Sequence, residues 1–208
     1  MLVLMSACKD DDTATVKVET NPEKAPTMVT RDVQTVISDS GHTRYRITTK
    51  LWQMFEEARS PHWVFPNGVQ ADELDDRYRT VASLICDSAY YDQPMHRWSA
   101  VGHVRLTMRN GDKVLCTRMY YQENTRVVEC RGEVNITRTT GDFIYTDEMF
   151  YDTQQRWTHS DGAFVHIEGQ GRVIEGYGYD YYDHDNTYRI KNVQGIFPID
   201  DRRFRPGR

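Results

Sequence analysis

The sequence predicts an all-β domain, an elongated β-jelly-roll or β-taco of stacked antiparallel hairpins. Three observations predict it. A thirty-residue repeat runs through the centre of the chain, apolar and polar residues alternate within each repeat, and thirteen tyrosines sit among 208 residues beside many Val, Ile and Thr, a composition suited to strands.

The repeat is carried by turn and face residues. Gly102, Gly132 and Gly162 are spaced by thirty, as are Gly111, Gly141 and Gly171, and Tyr91, Tyr121, Tyr151 and Tyr181 keep the same step. An earlier half-copy, LICDSAYYD at 84–92, lies thirty residues ahead of VLCTRMYYQ at 114–122.

Within the first unit Trp98, Ala100, Gly102, Val104, Leu106 and Met108 share one face, and Ser99, His103, Arg105, Thr107 and Arg109 share the other. In the second, Val128, Cys130, Gly132, Val134 and Ile136 oppose Glu129, Arg131, Glu133, Asn135 and Thr137. In the third the apolar set shifts to Ala163, Val165 and Ile167. A one-residue slip of that kind turns a strand over unless a bulge restores it, so a bulge is expected near Gly162. Gly111-Asp112 and Gly141-Asp142 are expected to be hairpin turns.

Stacking such hairpins gives two facing layers with an apolar seam between them, lined by Trp98, Val104, Leu106, Val134, Ile136, Val165 and Ile167. Such a stripe is usually a packed core, and the residues alone do not say whether the seam is open enough to admit acyl chains. The last strand is expected at 188–196, where Tyr188, Ile190 and Asn192 alternate with Arg189, Lys191 and Val193 before Pro198 stops the ladder. With no later strand to pair with it, Tyr188, Ile190, Lys191, Asn192 and Val193 form an edge onto which a partner domain of the same build could add a strand, unless the chain folds back to cover it.

The N-terminus has a different character. Met5-Ser6-Ala7-Cys8 has the shape of a lipobox, with Cys8 as the lipid-attachment residue, and residues 1–8 are read as the remnant of a signal peptide that begins late or has been trimmed. An accidental small-small-Cys is the plain alternative. Residues 9–30 are polar and aperiodic, a flexible tether; 31–198 form the domain; 199–208 are a basic tail.

Several function classes are disfavoured. A net charge of −5 with dispersed basic residues gives no attraction to nucleic acid. No apolar run approaches the roughly 18–20 residues that span a bilayer, so membrane attachment rests on lipid at Cys8. The seven histidines form no HxxxH or HxH pair, and no metal or cofactor site is expected. Asp180, Asp183, His184 and Asp185 lack the pattern of a calcium loop and are read as a surface turn. Asp147 and Glu148 are adjacent, so on a strand they face opposite ways and cannot act as a carboxylate pair. No catalytic residue is assigned. Cys86 and Cys116 hold equivalent places in successive units, which allows either a disulfide or buried free thiols.

DVQTVISDSGHTRYRI (32–47), PHWVFPNGVQADELD (61–75) and the repeated Tyr-Asp…Gly-x-Val…Gly-Asp pattern resemble the LptC family, the membrane-anchored periplasmic component of lipopolysaccharide export, in its Bacteroides-type form. The resemblance covers about residues 31–198 and implies an OstA-like fold with no enzymatic activity. It implies a conduit that takes lipopolysaccharide from the inner-membrane lipopolysaccharide ABC transporter, rests its acyl chains in the seam, and passes it to a periplasmic bridge protein of the same fold. A lipid anchor in place of the family's transmembrane helix implies a periplasmic lipoprotein, on the inner membrane in preference to the outer. The acidic run after Cys8 keeps a second possibility open, a cell-surface lipoprotein acting as an adhesion or glycan-binding module.

Overall fold

A computed structural model describes residues 21–39, 42–169, 171–185 and 187–198. Within them the chain is all strand and turn. The strands are β1 (Met28–Asp39), β2 (His42–Phe55), β3 (His62–Phe65), β4 (Val69–Leu74), β5 (Thr80–Cys86), β6 (Ser88–Asp92), β7 (Arg97–Thr107), β8 (Lys113–Gln122), β9 (Val127–Thr137), β10 (Phe143–Asp152), β11 (Trp157–Ile167), β12 (Arg172–Tyr182) and β13 (Thr187–Pro198). All described pairings are antiparallel. From β7 to β13 each strand pairs with its sequence neighbour, as a chain of hairpins must. β1 begins at Met28, so the end of the stretch read as a tether belongs to the sheet.

Two pairs of short strands are halves of longer ones. β3 and β4 are separated by Pro66-Asn67-Gly68, where proline lacks an N–H and Gly68 has φ +85°. β5 and β6 are separated by Asp87. β7 pairs through its second half with β5 and through its first half with β6. Each long strand therefore has a midpoint at which the sheet can bend.

The bend is built from bulges. Gly102 and His103 of β7, with φ +78° and +41°, together oppose Thr117 of β8. Gly132 and Glu133 of β9, with φ +73° and +48°, repeat the device thirty residues later. An extra residue in one strand sharpens the local twist and turns the chain, and a row of such bulges creases the whole sheet. Strands β8, β10 and β12 carry no extra residue, and β8 and β10 instead turn two successive side chains away from the core. Their buried positions run Val114, Cys116, then Met119, and Ile144, Thr146, then Met149; in β12 only Tyr177 turns outward between Gly176 and the buried Gly178, whose φ is +72°.

The third unit corrects the expected register. Beyond the bulge, Phe164 and His166 are the buried residues of β11, as Thr158 and Ser160 are before it, whereas Val165 and Ile167 are half-buried and lie on the opposite face, and Ala163 is exposed. The bulge does occur at Asp161-Gly162. Because every unit bears a bulge at that place, it preserves the thirty-residue register and does not invert it. Val104, Val134 and Phe164 thus form one inward row. The misleading signal came from the outer face, where Phe143, Ile167, Val173 and Phe197 form a cross-strand apolar row of their own.

Candidate functional site

The seam between the two layers gathers most of the apolar residues expected to face inward. Val104 and Val134 are fully buried, Ile136 nearly so, and Trp98 and Leu106 are half-buried against the same cluster. Val165 and Ile167 are not part of it; Phe164 and His166 take their places. The seam is closed and packed. At one end of the first layer Trp52, Trp63, Phe65, Tyr91 and Trp98 form a chain of ring contacts with centroids 4.5–6.2 Å apart. Glu123 accepts hydrogen bonds from Trp98 Nε1 at 2.9 Å and from the Tyr91 hydroxyl at 3.1 Å. Burial, then the neighbouring Glu123 charge, pushes the Tyr91 hydroxyl up to about 12.

Further along the same cross-strand row, which runs from Tyr91 and Trp98 through Tyr121 and Tyr151 to Tyr181, the lip of the seam is polar, and the sequence reading missed it. Arg138 leaves the tip of the β9–β10 hairpin and crosses to the other layer, where its Nη2 donates to the Tyr179 hydroxyl at 3.0 Å and its guanidinium lies 3.2 Å from the centroid of the Tyr181 ring. Asp112, from the preceding hairpin tip, stands 4.0 Å from Arg138 Nη1 and accepts from the Thr139 backbone N–H at 2.9 Å. Asp183 closes the group, accepting from the Tyr151 hydroxyl at 3.0 Å and from Asn110 Nδ2 at 3.5 Å. Burial raises the Asp183 carboxyl above the usual carboxylate range, an effect that the Tyr151 hydrogen bond and the Arg156 charge only partly offset. Asp180 and Asp183 are therefore not the surface residues expected: the Asp180 side chain is buried against His159, 2.8 Å away, and that of Asp183 is only 3 % exposed.

Hydrogen bonding at this lip is incomplete. Arg138 Nε and Nη1, and both ring nitrogens of His166, are buried without a hydrogen-bond partner. A buried donor left unmatched costs roughly 1–3 kcal/mol. The lip is accordingly where the layers part at least expense.

The predicted edge residues lie on β13, which pairs only with β12 among the described strands. Ile190 packs on the core, the Tyr188 hydroxyl donates to Glu168 at 2.8 Å, and Lys191 Nζ donates to Asp161 at 2.8 Å. Asn192 and Val193 are exposed. Cys8 and the basic tail at 199–208 lie outside the described residues. Among the described residues, no group of three or more His, Cys, Asp or Glu is placed to hold a metal ion.

Cys86, Cys116 and Cys130 are buried free thiols. Cys86 and Cys116 cannot pair as the repeat suggested. β7 runs between their strands, and two strand spacings of about 4.8 Å exceed the roughly 7 Å Cα separation a disulfide tolerates.

Residues 76–191 match the family model for OstA-like protein, more than half of the chain and every hairpin from β5 into β13. The chain belongs to the OstA-like family. OstA-like domains form the superfamily of lipopolysaccharide-transport proteins, a transport and binding family, and the creased antiparallel sheet is consistent with its jelly-roll or taco. A search of curated proteins finds no match to the chain.

Proposed function

We propose that this OstA-like protein is a non-enzymatic, LptC-type bridge component that holds the acyl chains of lipopolysaccharide between its two layers. On this reading it stands in the periplasm, tethered by lipid on Cys8, receives its cargo from the inner-membrane transporter and hands it to a bridge protein of the same fold along the β13 edge. The observation that carries the reading is the continuous inward row Val104–Val134–Phe164, repeated with a thirty-residue step between layers whose lip is held by polar contacts.

Magnitudes favour a seam that parts. An acyl chain of about a dozen methylenes brings roughly 10 kcal/mol of apolar burial at about 0.8 kcal/mol per methylene, and the side chains it separates are covered again by the chain itself. The main uncompensated loss is then at the lip, where buried ion pairs add little net stability.

A photo-crosslinking residue at Val134 tests this, with Asn135, one residue away on the outer face, as the comparison. Labelling of lipopolysaccharide from position 134 and not from 135 supports the seam. Equal labelling from both positions would falsify the assignment.

A further inference from the structure

Cys116 and Cys130 sit on either side of the crease. Cys116 is the last inward residue of β8 before the bend, opposite the Val134 end of β9, and Cys130 is the last inward residue of β9 before its bulge, paired with Met119. The two lie on adjacent strands but in different layers. Both side chains are buried on the inner face on either side of the fold at Gly132-Glu133, each thiol shifts the titration of the other, and Cys116 Sγ donates to the Arg118 carbonyl at 3.2 Å. Cys86, by contrast, meets only the Val69 carbonyl, at 4.0 Å.

We propose that Cys116 and Cys130 are a disulfide-forming pair that pins the crease between the layers. The bond would join one layer to the other at the root of the seam, hold the angle between them, and confine any opening to the polar lip. The chemistry requires a disulfide donor, either a small-molecule or a protein disulfide. The Cys116 thiolate attacks one donor sulfur and releases the first thiol; Cys130 then gives up its proton and attacks the Cys116 sulfur, releasing the second. Two protein thiols are oxidised and one donor disulfide is reduced. The order follows from the influence of the thiols on one another: Cys130 holds the Cys116 thiol below its ordinary range, while Cys116, together with burial, holds Cys130 well above it.

Because both thiols are buried, equilibrium and not accessibility should decide the test. A Cys8→Ser chain is reduced, unfolded and refolded in a mixture of reduced and oxidised glutathione, then unfolded again and alkylated. The expected product carries one alkylated thiol, Cys86, and a Cys116–Cys130 cross-linked peptide that disappears in Cys130→Ser. It should melt roughly 5–10 °C above the dithiothreitol-reduced form, as closure of a short loop implies. Three alkylated thiols, a disulfide involving Cys86, a glutathione adduct left unresolved at Cys116, or a cross-linked chain that melts below the reduced one would each overturn the proposal.

Discussion

Arg138 and Tyr181 stack across the seam, guanidinium on ring at 3.2 Å, although a flat sheet would hold them far apart. Thr137, Phe143, Ile167 and Val173 lie in one cross-strand row, and Tyr181 is eight residues further along β12, from 173 to 181. That displacement along the strand, added to three strand spacings, is on the order of 30 Å. The contact therefore exists only because the sheet folds over at its crease.

Replacing Arg138 by Met keeps most of the volume and leaves Asp112 buried without its cation, while Asp183 keeps Arg156. We expect a loss of roughly 2–4 kcal/mol in urea unfolding, because an uncompensated buried carboxylate is costly. Adding Asp112→Asn should restore at least half of it. A single variant as stable as the parent would mean the lip does not hold the layers together.

Gly132, in a bulge, differs from Gly141, in a turn. A Cβ at Gly132 would collide with Thr117 Oγ1 and sits at φ +73°, whereas one at Gly141, at φ +91°, meets nothing within 4 Å. Gly132→Ala should cost about 2–4 kcal/mol and Gly141→Ala about 1–2 kcal/mol, the left-handed strain alone. Equal losses in thermal unfolding would show that the crease tolerates a wider bulge.

Acidification should weaken the fold through His166. Burial holds its imidazole below the ordinary histidine range, with Asp142 and Glu168 pulling upward and Arg138 downward. The folded chain thus keeps it neutral while the unfolded chain protonates near pH 6.5. The contribution is fully present above that pH and is lost as pH falls below it. The melting temperature of the parent should drop more steeply between pH 7.5 and 5.5 than that of His166→Leu; parallel slopes would place the titrating group elsewhere.

The β13 edge predicts an asymmetry between neighbours. Along an antiparallel strand alternate N–H groups face opposite sides, so of Lys191 and Asn192 one donates toward β12 and the other toward the open side. Of Lys191→Pro and Asn192→Pro, one should lower the melting temperature. The other should melt like the parent and lose co-purification with a bridge protein of the same fold. Lys191→Ala controls for the ion pair to Asp161. Unchanged partner capture by both proline variants would move the joint to another edge.

Much of this architecture was legible because the repeat is exact where it matters. The thirty-residue step placed Val104 and Val134 on the inner face and the turns at Gly111 and Gly141, and all four are found there. Alternation failed in β11, because the last units are apolar on both faces and Val165 and Ile167 outvoted Phe164 and His166. It fails again in β8 and β10, where two successive residues turn outward at the crease to match a bulge in the neighbouring strand. The lip was invisible for a different reason: Arg138 meets Tyr179 and Tyr181 only after folding. One of its pairs did leave a trace, since Tyr91–Glu123 and Tyr151–Asp183 share the same sequence offset.

The central claim is that the packed seam parts along its polar lip to take up acyl chains. It can be tested by clamping that lip. In a chain with Cys8, Cys86, Cys116 and Cys130 changed to serine, Asn110→Cys and His184→Cys place two thiols beside the Asn110–Asp183 contact, where a short bismaleimide with a reducible centre can bridge the hairpin tips of the two layers. Capture of lipopolysaccharide by the clamped chain, before and after reduction of the bridge, is then compared with capture by the unbridged chain. Loss of capture while clamped and recovery on reduction is the predicted result; undiminished capture by the fully clamped chain would contradict it.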